Sequence, residues 1–309
     1  MRGVLLSLAR RFIIIVPVLW AVVTLVFLLI HIVPGDPVEQ MLGEGAAPGQ
    51  IADMRHSLGL DQPLIVQYGH YLKGIVLGDF GQSFKFQQPV RRVISERYPA
   101  TLQLAFLALT ICCAIAIPAG VISAHRRGSS TDRAVSVLTL LGLAVPNFAL
   151  GPLLIVLFSI RLGWLPVSGR GGALNYILPA ATLGAALAAI LTRMVRSAML
   201  EELSSDYVRT ARAKGLSTSA VLVRHALRNA LIPIITILGL QFGTLLAGTI
   251  VTETIFSWPG IGRLTVMAIS SRDYPLLQGC ILVITLSYVL VNLLTDLLYA
   301  VIDPRVRLS

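Results

Sequence analysis

Six long stretches without a charged residue constrain this chain more than any other feature. Each has between 19 and 27 residues, and about 20 are needed for a helix to cross a bilayer. Because backbone polar groups in lipid must be satisfied within the segment, each stretch predicts a transmembrane helix. The stretches are Phe12–Ile30, Tyr98–Ala124, Ala134–Ile160, Gly171–Thr192, Asn229–Thr252 and Tyr274–Thr295. The sequence therefore predicts an all-α, polytopic membrane protein with six transmembrane helices.

The composition agrees with a bilayer as the main solvent. The 309 residues are 55% hydrophobic and 13% charged, whereas a soluble chain is about 25% charged. The net charge of +10 could indicate nucleic-acid binding. The basic residues cluster beside the uncharged stretches instead, which is typical of orientation in a membrane. We therefore expect a lipid bilayer as a partner and no nucleic acid.

The distribution of basic residues predicts the topology. With the amino end in the cytoplasm, 15 of the 25 lysines and arginines fall in cytoplasmic segments. Six of the other ten lie in the long loop His31–Arg97, where charge has little influence on orientation. The first stretch is longer than the apolar core of a signal peptide, so we expect a retained span. Both termini are predicted to be cytoplasmic.

Three regions follow from this topology. Residues 1–96 are expected to form the first transmembrane helix and a long extracytoplasmic loop. Residues 97–302 are expected to form a five-helix core with a cytoplasmic segment, and 303–309 a cytoplasmic tail. Within the loop, short helices are predicted near Ile51–Ser57 and Leu64–Ile75. The loop is either a docking surface or a passive lid over the helices.

The segment Ser205–Pro233 is polar and basic and lies between two apolar spans. Ser205 or Asp206 can cap a short helix, which Gly215 can end. Ser217 or Ser219 can begin the next helix. The pattern predicts a short amphipathic helix that presents a firm surface to a cytoplasmic partner.

Several residues within the spans suggest packing or transport. Gly239 and Gly243 form a GxxxG pair, which permits close helix approach. Uncharged polar residues either line a path for a polar solute or form hydrogen bonds between helices. These pathway candidates are Asn147, Gln241, Thr244 and Thr249. Two acids at span ends, Glu253 and Asp296, are expected to be structural, with Glu253 solvated near the outer boundary.

The sequence lacks the common motifs of ATP binding and of hydrolase active sites. The sequence has no GxxxxGK[ST], HExxH or GxSxG motif, which argues against an ATP site or a hydrolase of those kinds. The five histidines are scattered, and the three cysteines lie in apolar runs as expected of packing residues. We expect no catalytic residue, no metal site and no cofactor bound by this chain.

Several motifs together resemble one family. YVRTARAKG at 207–215 and RHALRNALIP at 224–233 resemble the cytoplasmic coupling segment of bacterial ABC-importer permeases. PGDP at 34–37, GDFGQSF at 78–84 and RYPATLQL at 97–104 are similar to the dipeptide/oligopeptide/nickel permeases, specifically the first of their two membrane subunits. ETIFSWPGIGRL at 253–264, RDYPLLQG at 272–279 and NLLTDLLYAVIDPRVR at 292–307 extend the likeness to the carboxyl end.

The resemblance implies the fold of a type I ABC-importer permease in the bacterial inner membrane. It implies a second homologous permease, two ATP-binding subunits that hold ATP and Mg, and an extracytoplasmic substrate-binding protein. The residues carried over for docking onto the ATPase are Tyr207, Ala211, Arg212, Ala213, Lys214, Gly215 and Leu216. One departure is that Arg209-Thr210-Ala211 stands where the broad importer pattern has Glu-Ala-Ala, which argues against an acidic contact there.

The resemblance makes di- or oligopeptide uptake the leading function. Nickel, glutathione or a haem-like solute carried by the same family are the alternatives. An ion-coupled secondary transporter or channel is the alternative from another class, and it would work without an ATPase.

Overall fold

The computed structural model describes residues 15–28, 38, 42, 46–57 and 59–302, excluding the side chains of 247–248, 296 and 298–302. Within these ranges the chain consists of helices joined by turns and loops. The one strand-like pairing there is a single bridge between Gln82 and Pro89. The all-α prediction is therefore confirmed. The helices are α1 Ile15–Leu28, α2 Pro48–Ser57, α3 Leu64–Leu77, α4 Val90–His125, α5 Ser130–Ala144, α6 Asn147–Leu154, α7 Ile177–Leu203, α8 Asp206–Ala213, α9 Arg228–Ile255, α10 Ile261–Ser270 and α11 Tyr274–Ile302.

Three shorter helical segments join these elements. A π-helix, Ile155–Arg161, continues α6, and a 3₁₀ turn, Ala173–Tyr176, leads into α7. A short turn, Thr218–Ala220, and a second π-helix, Val221–Leu227, lead into α9. The two predicted short helices of the long loop are confirmed as α2 and α3.

Four described helical segments are long and apolar enough to cross a membrane, and a bent pair raises the number to five. The four segments are Val90–His125, Ala173–Leu203, Thr218–Leu246 and Tyr274–Thr295. The first predicted span, Phe12–Ile30, extends outside the described residues at both ends. Its described part is the apolar helix α1.

The predicted span Ala134–Ile160 is not one continuous helix. α5 and the segment Asn147–Arg161 meet at an angle of 103°. Pro146 has no amide hydrogen, and its ring disfavours a helical conformation at the preceding residue. Val145 is accordingly extended, with φ −87° and ψ 115°. The chain therefore bends at Val145–Pro146, whereas Pro152 lies within α6 without interrupting it.

α4 and α7 are longer than their uncharged stretches. α4 begins at Val90 rather than Tyr98, and α7 continues past Thr192 to Leu203. Both extensions contain charged residues. A charged residue ends a hydrophobic span but not a helix, because the backbone hydrogen bonds continue into water.

The chain divides into two compact units. The first contains the described residues up to Thr101 together with Pro259–Ser287. Its core packs the start of α4 against α10 and the start of α11. Buried Asp273 accepts hydrogen bonds from the Ser83 hydroxyl at 2.5 Å and from the Lys85 and Leu276 amides at 3.0 and 3.2 Å. This carboxylate holds the 83–85 loop on the start of α11.

The second unit contains Leu102–Trp258 and the described residues from Tyr288 onward. Its core joins the end of α4, the second half of α7 and the start of α9. The predicted GxxxG contact is confirmed within the chain. A Cβ at Gly239 would clash with Thr295, and one at Gly243 would lie 3.1 Å from Tyr288. The two glycines therefore let α9 approach α11 closely.

Two acids singled out in the sequence have different outcomes. Glu253 is fully buried, so its expected solvation was wrong. Glu253 lies near the end of α9, where its backbone carbonyl accepts the Trp258 amide at 2.8 Å. The side chain of Asp296 lies outside the described residues.

Candidate coupling site

The short helix α8 follows directly on the end of α7. Its inner face consists of Val208, fully buried, and Ala211, 5% exposed, which pack with Val221 and Leu203. The other residues of α8 are all exposed. The predicted amphipathic helix is therefore present, and it is attached to the rest of the unit through these small apolar residues.

The start of α8 lacks the side-chain cap that the sequence suggested. Ser205 occupies the N-cap position, and its carbonyl accepts the Val208 amide at 3.1 Å. Its hydroxyl makes no bond to the helix and donates to the Glu201 carbonyl at 3.5 Å instead.

The end of α8 is closed as the sequence predicts. Gly215 has φ +77°, a left-handed conformation that glycine adopts without a steric penalty. The Gly215 amide donates to the Arg212 carbonyl at 2.9 Å, and the Leu216 amide donates to Ala211 at 3.4 Å. This pair of bonds is a Schellman motif, which satisfies the last carbonyls of the helix.

The next helical segment begins at Ser217, also as predicted. The Ser217 hydroxyl accepts the Ala220 amide at 3.4 Å. The π-helix Val221–Leu227 follows, with Val221 buried against α8. Two capped turns therefore bracket the peptide from Lys214 to Ser217 and hold it in one shape.

The outward surface of this region is continuous. Every residue from Arg212 to Ser219 is exposed, and a Cβ at Gly215 would meet nothing within 4 Å. We call the exposed residues 212–219 together with Tyr207 the coupling surface. Of the seven docking candidates, Tyr207, Arg212, Ala213, Lys214, Gly215 and Leu216 lie on this surface. Ala211 is buried beneath it.

The coupling surface is basic and has one fixed aromatic side chain. The hydroxyl of Tyr207 donates to the Glu202 carboxylate. Partial burial, followed by this bond to Glu202, raises the pKa of Tyr207, so its phenol stays protonated. Arg209 pairs with Asp206 at 3.3 Å in solvent, whereas no ion pair engages Arg212 or Lys214 among the described residues. Their positive charges are available to a partner.

The pathway candidates fall into separate environments. The Thr244 hydroxyl donates to the Gln241 carbonyl at 2.8 Å and its side-chain oxygen at 3.2 Å. Thr249 is fully buried and donates to Leu246 at 3.4 Å. Asn147 follows the bend at Pro146, and its buried Oδ1 has no hydrogen-bond partner in the described part of the chain. Of the four pathway candidates, only Gln241 and Thr244 are hydrogen-bonded to each other among the described contacts.

Sequence reasoning missed one polar cluster. It treated Arg196 as an orientation residue at the end of a span. In the structure, Arg196 forms a two-point ion pair with Asp132 on α5, at 2.8 and 2.9 Å. The two residues are 64 positions apart, so no local pattern indicated the pair.

Comparisons with known proteins agree with this architecture. The family described as "Binding-protein-dependent transport system inner membrane component" matches residues 116–308. Its N-terminal companion, "Binding-prot-dependent transport system membrane comp, N-term", matches residues 4–105. The chain belongs to this family, as an ABC-importer permease of the peptide/nickel group. It is a multi-pass inner-membrane permease subunit.

Relatives at the sequence level include glutathione transport system permeases. The chain is 45% identical over 298 residues to the glutathione transport system permease protein GsiC of Escherichia coli K12. The match covers 96% of this chain and 97% of the relative. GsiC of Pectobacterium atrosepticum matches with the same identity and coverage.

Solved structures show the same fold at low identity. The inward-facing MetNI methionine ABC transporter aligns with a TM-score of 0.59 at 16% identity, over 68% of this chain and 96% of that one. An amino acid ABC transporter crystallised with histidines aligns with a TM-score of 0.50 at 18% identity, over 69% and 94%.

Proposed function

We propose that the coupling surface docks this permease onto an ATPase subunit, which drives solute import through the helices above it. The observation that carries the proposal is a basic surface whose backbone is fixed by the helix end at Gly215. Its Arg212 and Lys214 are exposed and form no ion pair with any residue that the structure describes. A partner can seat against backbone at Gly215, because no side chain projects there. Arg212 and Lys214 would face acidic or polar groups of that partner.

The partners follow from the family. Permeases of this group work with a second permease, ATPase subunits and a binding protein. We propose the same assembly here, with ATP and Mg held by the partner subunits and no ATP site on this chain. In this proposal the coupling surface and both termini face the cytoplasm, and the binding protein lies on the other side of the membrane.

The proposed solute is a short peptide, and glutathione is the specific candidate. The support is the 45% identity to glutathione permeases over 96% of the chain. Glutathione is itself a tripeptide, so it falls within the peptide class. The uncharged polar residues Asn147, Gln241, Thr244 and Thr249 are proposed to line the path, since such groups can contact a polar solute without holding it. Nickel and haem-like solutes are the competing candidates within the family.

The decisive experiment is ATPase activity of the complex reconstituted with its binding protein. The binding protein is added empty or loaded with glutathione, a dipeptide, nickel or haem. Stimulation by the glutathione-loaded form is the expected result. Stimulation only by nickel or haem would overturn the peptide proposal. If the permease copurifies with no ATPase and its solute transport is driven by an ion gradient, the importer mechanism would be overturned in favour of a secondary transporter.

A further inference from the structure

The ion pair between Asp132 and Arg196 lies at the centre of a larger network. The Ser123 hydroxyl at the end of α4 donates to Asp132 Oδ1 at 2.5 Å. The Gly128 amide in the α4–α5 turn donates to Oδ2 at 2.9 Å. The Asp132 carboxylate is 7% exposed and the Arg196 side chain 31%. One carboxylate thus joins α4, the turn and α5 to α7.

α5 also contacts α7 near its other end, where a Cβ at Gly142 would lie 3.2 Å from the Ala189 Cβ. Asp132 and Thr139 are its only buried residues. Apolar side chains farther along α5, including Val137, Leu138 and Leu141, are more than half exposed. The network is therefore the polar contact that joins the start of α5 to α7, and the contact at Gly142 joins the end of α5 to the same helix.

α4 and α7 are likewise packed closely beside the network. A Cβ at Gly120 would lie 2.6 Å from Val195 and 2.9 Å from the Thr192 carbonyl. α8 begins just beyond the end of α7, and Arg196 precedes that end by seven residues, or about 10 Å of helix. α5 leads in the other direction to the bend at Pro146.

We propose that Asp132 and Arg196 are positioning residues that transmit movement of the coupling surface, through α7 and α5, to the bent span. The inference rests on the proposed function of the coupling surface. Buried ion pairs often contribute little to stability compared with apolar residues of similar size, and in some proteins buried polar groups fix the register of the elements that they join. A two-point arginine–carboxylate pair is directional, so displacement of α7 carries α5 with it.

The functional test measures solute transported per ATP hydrolysed by the reconstituted complex, with labelled glutathione as the probe. Arg196→Met and the charge-free double variant Asp132→Asn/Arg196→Met should lower this ratio about tenfold, a typical coupling effect, while ATPase activity persists. Arg196→Lys should recover part of the ratio. Arg193→Met, an exposed arginine on the same helix, is the matched control and should behave as the native chain.

A second measurement does not depend on the solute. Spin labels at Val137→Cys on α5 and Ser204→Cys after α7, with the native cysteines replaced by alanine, report the distance between the two elements. The native distribution should be narrow and the same with and without ATP. Arg196→Met should broaden and shift it, whereas Arg193→Met should not.

The outcomes separate the two proposals. An unchanged distance distribution in Arg196→Met, or an equal loss of transport per ATP in Arg193→Met, would overturn the positioning role. If the native complex shows no solute-stimulated ATPase, the proposed function fails. The label distances, measured on the membrane chain itself, still decide whether the pair holds α5 to α7.

Discussion

The coupling surface and the Asp132–Arg196 network use the same kinds of side chain in opposite ways. Both lie in the second unit, and both are attached to α7. The hydrogen bonds that shape the coupling surface join residues no more than five positions apart, and its arginine and lysine at 212 and 214 are exposed. The network includes bonds between residues 9 and 64 positions apart, and its carboxylate is buried. The exposed basic residues are the ones proposed to face a partner, whereas the half-buried Arg196 pairs within the chain.

The largest expected effect comes from Gly215→Trp. A left-handed backbone costs a non-glycine residue about 1–2 kcal/mol, and the indole would fill the space proposed for the ATPase. Transport and ATPase association should be abolished, as measured by uptake and by copurification, with a normal amount of protein in the membrane.

Two control variants separate strain from bulk at Gly215. Gly215→Asn tolerates the left-handed backbone and should retain transport. Gly163 also has a positive φ and open space, so Gly163→Trp adds the same strain and bulk away from the coupling surface. Uptake that survives Gly215→Trp, or that is lost equally in Gly163→Trp, would contradict the docking assignment.

The next largest effect is on stability, in Arg196→Met. The variant leaves the Asp132 carboxylate buried without its ion pair, which costs about 3 kcal/mol at the low end of measured values. Thermal unfolding in detergent should show the loss. The double variant Asp132→Asn/Arg196→Met should recover most of it, and a double variant as unstable as the single one would show that the charge is not the cause.

A smaller effect is expected where α8 is attached. Val208→Thr keeps the shape of the side chain but buries a hydroxyl, which costs about 1–3 kcal/mol. The attachment of α8 should loosen, which faster amide hydrogen exchange in residues 206–213 would report. Val223→Thr is the matched control, because Val223 is 60% exposed. Equal exchange in the two variants would argue against an apolar attachment of α8.

The smallest effect is expected for Arg209→Ala. Its ion pair with Asp206 is largely exposed, and such pairs contribute no more than about 1 kcal/mol. The unfolding temperature should therefore stay close to that of the native chain. A loss comparable to that of Arg196→Met would remove the contrast between the exposed and the buried pair.

Much of the architecture could be predicted because its causes are local. Long uncharged stretches require helices in lipid, and the described helices agree with five of the six predicted stretches, although the third is bent. Gly215 and Ser217 indicate a helix end and a helix start through their own backbone and side-chain chemistry. Gly239 and Gly243 indicated close helix approach, and the structure supplies the partner helix. The roles of the docking and pathway residues remain predictions.

The tertiary structure decided what depends on distant neighbours. A proline in a membrane helix is often tolerated, and only the fold shows that Pro146 bends its span by 103° while Pro152 does not. The burial of Glu253 depends on which elements pack over the end of α9. The pairing of Asp132 with Arg196 depends on α5 and α7 lying side by side. The sequence by itself determined which segments are helical in lipid, because each helix satisfies its own backbone. The fold decided which polar side chains meet, because their partners lie many residues away.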